Sequence, residues 1–470
     1  MGVETEYGVQ CTDGGRRTLT PDEVARHLFY DLVSTHYSSN VFLVNGGRLY
    51  LDVGNHPEYA TAECDSLADL LAQERAGTQM MNQLVAQAQD RMARDGTRGH
   101  VYLLKNNVDS GGASYGCHEN YLVDRGLDLR VLAGGLAAFL VTRQLVCGAG
   151  RLVREPDGSA RYCLSQRADL MWEVASSATT RSRPMINTRD EPHADATRFR
   201  RLHVIVGDSN MAESGTLLKV GATDLMLRAL EAGVDAPAVA TAPGDDHPAA
   251  LAPANPALAI RAINRDLTGR TPFETTDGRF VTPLEAQRAC HALAASHLAA
   301  HGPANDWDHT VLGLWDEILS ALEEDAPDRV AGHVDWIAKR ALLARGAQRH
   351  GLDLERDAAD PRLAFLDLLY HDIDPQRGLA YRLEAAGTLR RWTTPEQVER
   401  AMTDPPATTR ALLRSRFLEA ARRGRRDHQA DWTHLRVDPS QFGPTVVLDD
   451  PFAASDPRVE ELIAQLDARR

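Results

Sequence analysis

No CxxC pair and no Cys/His zinc spacing links the six cysteines, Cys11, Cys64, Cys117, Cys147, Cys163 and Cys290. That excludes a zinc ribbon and offers no disulfide framework. Six scattered thiols in a chain of 470 residues read as reduced, in a cytoplasmic protein. No charged start followed by an apolar stretch opens the chain, so no signal peptide is expected. No uncharged run reaches the ~20 apolar residues of a membrane-spanning helix. The longest apolar stretch, Val131–Val141, reads as a buried helix. Positive charge is in deficit: 52 Lys+Arg stand against 66 Asp+Glu, a formal net charge of −14. That balance argues against general binding to nucleic acid or to an anionic membrane, though not against a local basic groove. There is no GxxxxGKS/T loop and no GxGxxG after a strand, so a nucleotide bound here is not held by a P-loop or a Rossmann turn. No internal repeat is present.

What is there is ordinary for a globular protein, with 43% hydrophobic and 25% charged residues. The length suffices for a core that holds a rigid site. Met1–Val9 reads as a strand and turn. Thr20, Pro21 and Glu23 make a capping box with proline in the first turn, so a helix is expected there. Asn40–Val44 and Arg48–Val53 read as strands joined by Asn45-Gly46-Gly47. Pro57–Glu63 reads as extended, and Ser66 caps a long amphipathic helix to about Arg94. Strands are expected over His100–Leu122, around a glycine-rich turn at Ser110–Gly116, and near Ala160–Leu164 and Arg201–Val206. A helix is expected near Leu132–Val141. Val234–Ala257, rich in Ala, Pro, Gly and Asp, reads as a flexible surface insertion. The chain then turns helical to about Arg390, and a last segment from Thr394-Pro395 holds Trp432 and a short strand, Thr445–Leu448. The class is α+β: a mostly antiparallel sheet flanked by helices over residues 1–393, and a small C-terminal domain over 394–470.

The chemistry concentrates in the first 65 residues. Side chains on a strand alternate between faces, so Glu4 and Glu6 share one. Taken alone, the pair fits the solvated face of an edge strand as well as a cation site. Arg48, Tyr50 and Asp52 share a face of a later strand, with Leu49, Leu51 and Val53 opposite. Glu58 and Glu63 follow at once. Hard cations such as magnesium take oxygen ligands and bridge nucleotide phosphates. An arginine suits phosphate oxygens, and a free carboxylate such as Asp52 suits a general base. Together these residues point to a metal–phosphate site.

The stretches GVETEYGV, RLYLDVGNHPEYATAECDS, ASYGCHENYL (Ala113–Leu122), FLVTRQLVCGAG, SSATTRSRPMINTRDEPHAD and RRLHVIVGDSNM resemble the Pup ligases, a family of glutamine synthetase-like carboxylate–amine ligases. The likeness runs over nearly the whole chain and is weakest across Val234–Ala257. It implies a curved, mostly antiparallel sheet cradling ATP, with a small C-terminal domain. It implies a reaction in which ATP phosphorylates the γ-carboxylate of the C-terminal glutamate of Pup, a small protein tag. A lysine of a target protein then attacks, giving an isopeptide bond that marks the target for the proteasome. The resemblance puts magnesium on Glu4, Tyr50 and Glu58, the proton acceptor on Asp52, and ATP contacts on Arg48, Thr61 and Trp432. A lysine is protonated at neutral pH and must lose a proton before it attacks, which gives Asp52 its task.

His118, Glu119, His203 and Glu6 are second-tier candidates for phosphate or a second metal, with a structural role as the alternative. Arg181, Arg183 and Arg189 are candidates for the transferred phosphate or Pup carboxylates, with surface pairing as the alternative. Arg414–Arg426 holds six arginines, which read as a solvated helix face or as a contact for acidic Pup. A sister hydrolase, the Pup deamidase, carries a long insertion soon after the first strand. Here about nine residues separate Cys11 from Pro21, too few for it. A small-molecule carboxylate–amine ligase and a non-catalytic Pup-binding scaffold are the remaining alternatives.

Overall fold

Period-two alternation in the first sixty residues builds the middle of one sheet. The computed structural model describes residues 1–52, 54–109, 112–155, 157–177, 183–233, 250–441 and 443–468. In chain order the strands of the large sheet are β1 (Gly2–Glu6), β2 (Asn40–Phe42), β3 (Arg48–Leu51), β4 (Pro57–Ala60), β5 (Cys117–Asp124), β6 (Met171–Ser176), β7 (Arg183–Asn187) and β8 (Phe199–Val204). Their spatial order is β6-β7-β8-β5-β1-β4-β3-β2. Neighbours are antiparallel except β6 and β7, which run parallel. A three-stranded sheet, Gly8–Asp13, Arg16–Leu19 and His100–Leu104, continues from the end of β1.

One face of the large sheet is dry. Val3, Cys117, Tyr121, Leu202 and Val204 pack there with Leu70, Phe139, Leu217 and Val220 from the helices Leu67–Arg94, Leu129–Thr142 and Glu213–Ala232. Burial of such side chains is worth roughly 1.5–3 kcal/mol each, so this face sets the register of β1, β5 and β8, while Leu49 of β3 and Tyr59 of β4 pack in a second cluster with Leu28, Phe29 and Met81. The opposite face is left for polar side chains.

The helix signals are where the sequence puts them. Thr20 accepts from Glu23 N while Glu23 accepts from Thr20 N at 2.8 Å, at the start of Pro21–His36. Ser66 accepts from Asp69 N at 3.0 Å to open Leu67–Arg94. The hairpin turn joins β2 to β3 with Gly46 at φ 83°. At Gly47 a Cβ would lie 2.7 Å from the Tyr59 hydroxyl, so only glycine fits. Asn45 donates from the same turn to Tyr59 and to the Ala401 carbonyl, both at 2.9 Å.

Val53, Ser110, residues 178–182 (Arg181 among them) and residues 234–249 lie outside the described residues. The rest of the expected insertion is not loose: Ala250 and Leu251 are buried, and Asn255 caps the helix Pro256–Asn264. The helices Pro283–His301, Asp308–Glu323, Asp335–Arg349, Pro361–Tyr370 and Leu379–Ala385 follow, after an unanticipated two-stranded hairpin, Phe273–Glu274 with Phe280–Val281. A separate apolar cluster gathers Leu413, Phe417, Leu435, Val446, Leu462 and Leu466 around a three-stranded sheet near the end of the chain. The helix Pro395–Ala401 packs instead on the long helix, with Val398 and Ala401 against Ala72 and Ala76. Among the described residues no helix is long and apolar enough to cross a membrane.

Candidate active site

The polar face of the sheet carries the site. Register fixes who meets whom. Glu6 stands opposite Glu58 across β1 and β4, and Glu58 opposite Tyr50 across β4 and β3. Glu4 stands opposite His118 on β5 and Ala60 on β4, and Arg48 opposite Ala60 from the far side. His203 on β8 is partnered with Asn120 on β5. Alternation turns all these polar side chains to one face, so three carboxylates, a phenol, two imidazoles and a guanidinium gather on five adjacent strands.

Hydrogen bonds orient the group. Glu4 accepts from Asn120 Nδ2 at 3.1 Å, and its other oxygen lies 3.1 Å from His118 Nδ1. Arg201 Nη1 and His203 Nε2 each stand 3.9 Å from Glu4. Burial pushes the Glu4 carboxyl up, but the His118 hydrogen bond and the charges of His203, His118 and Arg201 hold it well below the usual range. Glu58 behaves in the opposite way. Burial, then the charges of Glu4 and Glu6 and more weakly Asp52, push its carboxyl well up, against a hydrogen bond with Tyr50. Burial, with the charges of Glu4 and Glu58, keeps the Tyr50 phenol protonated. His203 is held down to about 3, first by burial, then by His118 and Arg201 against the pull of Glu4.

This donor set fits a hard cation. One oxygen or nitrogen from each of Glu6, Glu58 and His118 lies within 4.8 Å of the others, and the same holds for Glu4, His118 and His203. Among the described residues the Nε2 of His203 is buried with no hydrogen-bond partner. A buried carboxylate whose proton affinity is raised by its neighbours exchanges that proton for a cation readily. Gly116 makes room for the cluster, since a Cβ there would fall 2.3 Å from His118 Nε2 and 2.8 Å from Glu6 Oε1.

A cleft of about 310 Å³ opens beside this row, a size usual for small-molecule sites, ~300–1,000 Å³. Glu4, Arg48, Thr61, Asn120, His203 and Trp432 line it, with Glu63, Arg410 and Phe452. The Arg48 guanidinium lies 4.2 Å over the Tyr50 ring and 5.7 Å from Phe42, and Trp432 meets Phe42 edge-on at 4.9 Å. The Thr61 hydroxyl is committed to the backbone, accepting from Val3 N at 3.1 Å and donating to the Ala62 carbonyl at 3.0 Å. A side-chain contact from Thr61 to a ligand therefore costs one of those bonds.

The structure thus brings Glu4, Tyr50, Glu58, Arg48, Thr61 and Trp432 around one row and one cleft. Asp52 lies just past the end of β3 rather than on it: the strand stops at Leu51, and Asp52 N donates to the His56 carbonyl at 3.0 Å. Its charge is still felt at Glu58. His118, His203 and Glu6 join the cluster. Glu119 does not. It points to the dry face, where Arg143 holds it through bonds of 2.6 and 2.9 Å and Tyr121 donates to it at 2.7 Å. One residue of alternation separates it from His118 and removes it from the site. Arg183 donates to the Ser114 carbonyl at 3.3 Å, and the charge of Arg189 acts on His203. In the arginine run, Arg414 is fully buried instead of solvated, while Arg416, Arg423 and Arg426 pair with Glu460, Asp467 and Asp438. Asn120 and Arg201 escaped the sequence reading. Each lies two residues from a histidine already singled out, so alternation alone points to both.

A mostly antiparallel sheet with a polar carboxylate face, helices behind it and a small unit at one end is the architecture of the glutamine synthetase-like carboxylate–amine ligases. The chain belongs to the Pup ligase family: the family described as Pup-ligase protein matches residues 1–436. Its relatives include a Pup–protein ligase of Nakamurella multipartita, 51% identical over 463 residues with 98% of each chain covered. A Pup–protein ligase of Rhodococcus opacus is 50% identical over 466 residues, 99% of each chain. Among solved structures, the complex of the prokaryotic ubiquitin-like protein Pup with its ligase PafA aligns with a TM-score of 0.91 at 43% identity, covering 99% of this chain and 91% of that one. The Pup ligase PafA in complex with ADP aligns with a TM-score of 0.83 at 44% identity, covering 97% and 96%.

Proposed function

We propose that this protein is an ATP-dependent ligase that activates the C-terminal glutamate of Pup and joins it to lysine side chains of target proteins. Family membership supports the reaction, and the carboxylate row beside a nucleotide-sized cleft is the observation that carries it. In this reading Arg48 and the wall containing Trp432 hold ATP, with the cleft face of Thr61 beneath. Glu4, Tyr50 and Glu58 would hold magnesium, with Glu6, His118 and His203 close enough to contribute. When bound, magnesium supplies charge compensation on the phosphates. Arg48 adds fixed positive charge beside the same cleft. Transfer of the γ-phosphoryl group to the Pup carboxylate gives an acyl phosphate and ADP. Asp52 then takes a proton from the incoming lysine ammonium, and the freed amine displaces phosphate to form the isopeptide bond.

A second cleft of about 650 Å³ is lined by Gly8, Arg17, His56, Tyr115, Arg151 and Arg154 among others, and in this reading it would serve as a second approach to the site. It gives the peptide and the acceptor a way in that the nucleotide does not occupy. The boundary between a large domain, 1–393, and a small one, 394–470, is part of the same proposal. The separate apolar cluster from Leu413 to Leu466 supports a distinct small unit.

The test is incubation with Pup ending in glutamate, ATP, magnesium and a lysine-rich protein, followed by mass spectrometry. Joined peptides carrying a γ-glutamyl–lysine bond are expected. Deamidation of Pup ending in glutamine, without conjugation, would assign the protein to the hydrolase instead.

A further inference from the structure

Glu63 and the helix Ala411–Gly424 are 350 residues apart in places, yet they form one buried charge cluster at the back of the nucleotide cleft. Glu63 Oε1 accepts from Arg410 Nε at 2.8 Å and from Arg414 Nη1 at 3.2 Å, and its second oxygen pairs with Arg414 Nη2. Arg414 is wholly buried, and its fork is spread over three parts of the chain. It donates to the Gly46 carbonyl at 2.8 Å in the β2–β3 turn and to the Trp432 carbonyl at 3.3 Å. Its guanidinium also lies 5.1 Å from the Trp432 ring and 5.3 Å from Phe42. Arg410 ties down the other wall, donating to the Leu448 carbonyl at 2.8 Å and, through its backbone N–H, to the Pro451 carbonyl at 3.0 Å.

Trp432, Pro451 and Phe452 line the cleft from the C-terminal side, and Glu63 and Thr61 from the sheet side. The cleft is therefore a seam between two parts of the fold, and the charges of Glu63, Arg410 and Arg414 close the seam. A planar guanidinium can make all of these contacts at once, whereas a lysine ammonium cannot. We infer that Arg414 is a positioning residue for nucleotide binding: clamped by Glu63, it fixes the indole of Trp432 against the cleft. This rests on the reading of Trp432 as part of the nucleotide wall. Arg414 itself touches no ligand, and acts through the orientation of the indole and through the docking of the helix on the sheet.

Two consequences separate this role from ordinary core packing. First, the effect falls on nucleotide affinity rather than on turnover. Second, it passes through Trp432, so it disappears when Trp432 is absent. The experiment is a double-mutant cycle on the full chain with Arg414→Lys, Trp432→Ala and the pair together. It is read by calorimetric titration with ADP and magnesium and by ATP-dependent Pup conjugation. Arg414→Lys is expected to weaken ADP binding and raise KM for ATP by about tenfold, with kcat at saturating ATP falling less than about threefold. In the Trp432→Ala background the same substitution is expected to add less than about twofold, the mark of two residues acting as one unit. Glu63→Gln, which keeps the shape and removes the charge of the clamp, is expected to reproduce the affinity loss if Arg414→Lys folds poorly. Full additivity of the two losses, or unchanged ADP affinity in both Arg414→Lys and Glu63→Gln, overturns the inference while leaving Trp432 in the nucleotide wall. Unchanged ADP affinity in Trp432→Ala overturns the underlying reading of the wall as well.

Discussion

Glu6 and Glu58 are register partners on adjacent antiparallel strands, with Tyr50 the next partner across from Glu58. Like charges directly opposite in a sheet are destabilising, and the pair is buried. The sheet eases that repulsion because the Glu58 carboxyl is pushed well up, first by burial and then by Glu4 and Glu6, which favours its protonated form. In the proposed reading a divalent cation would take the place of that proton and compensate the charges more strongly.

Removing a carboxylate should show this competition. Glu58→Gln is expected to weaken magnesium binding in the presence of ADP by about tenfold or more, a loss of ~1.4 kcal/mol or more, while the melting temperature of the magnesium-free protein holds or rises. Calorimetric titration with magnesium and thermal unfolding in chelator check the two halves. Unchanged magnesium affinity would remove Glu58 from the metal site.

Asp52→Asn keeps the shape of the loop and removes the proposed base. General-base catalysis contributes about 10²–10⁴-fold, so conjugation should fall by that factor while ADP affinity stays within about twofold. Single-turnover conjugation assays and ADP titration separate the two. Conjugation at the wild-type rate would take the proton acceptor away from Asp52.

Glu119, for which the structural alternative holds, makes its own prediction through its pair with Arg143. Glu119→Ala leaves Arg143 charged and buried behind His118. Breaking such a pair from one side costs about 3–5 kcal/mol, a shift that urea unfolding measures directly. A cost below 1 kcal/mol would contradict the structural role given to Glu119.

Glu63 gives a pH window. Burial raises its carboxyl, but Arg414 and Arg410 bring it down to about 2 from an ordinary 4.5. A group with a depressed folded value contributes stability above its unfolded value and loses it as the pH falls through the folded one. The contribution is therefore complete above about 4.5 and is lost between there and about 2. Unfolding free energies over that range should fall more steeply for the wild type than for Glu63→Gln. Parallel curves would show that the clamp is not ionised as described.

How much of this the sequence carried depends on the range of each interaction. Alternation, which is local, places Glu4, Glu6, Arg48 and Tyr50 on one polar face, and the capping box at Thr20 opens its helix as written. The likeness to the family adds Trp432, more than 350 residues downstream of Glu63. Alternation also separates His118 from Glu119, and treating neighbours in a motif as a unit hid that. What no local pattern reveals is pairing. Nothing in RSRFLEAARRGRR says that its first arginine is fully buried beneath Trp432 and that Arg416 and Arg423 are paired on the surface. Asn120 acquires its role from lying beside Glu4, a partner 116 positions away. The packing of the helix Pro395–Ala401 on the large body rather than within the C-terminal cluster is likewise a matter of tertiary contact.

In the proposed reaction ATP activates the Pup carboxylate in the cleft beside Glu4. The most direct measurement uses Pup whose C-terminal γ-carboxylate carries oxygen-18 at both oxygens, with magnesium, ATP and a lysine-bearing acceptor. Transfer through an acyl phosphate predicts one labelled oxygen in inorganic phosphate for each isopeptide bond formed. Conjugation that releases only unlabelled phosphate would contradict it.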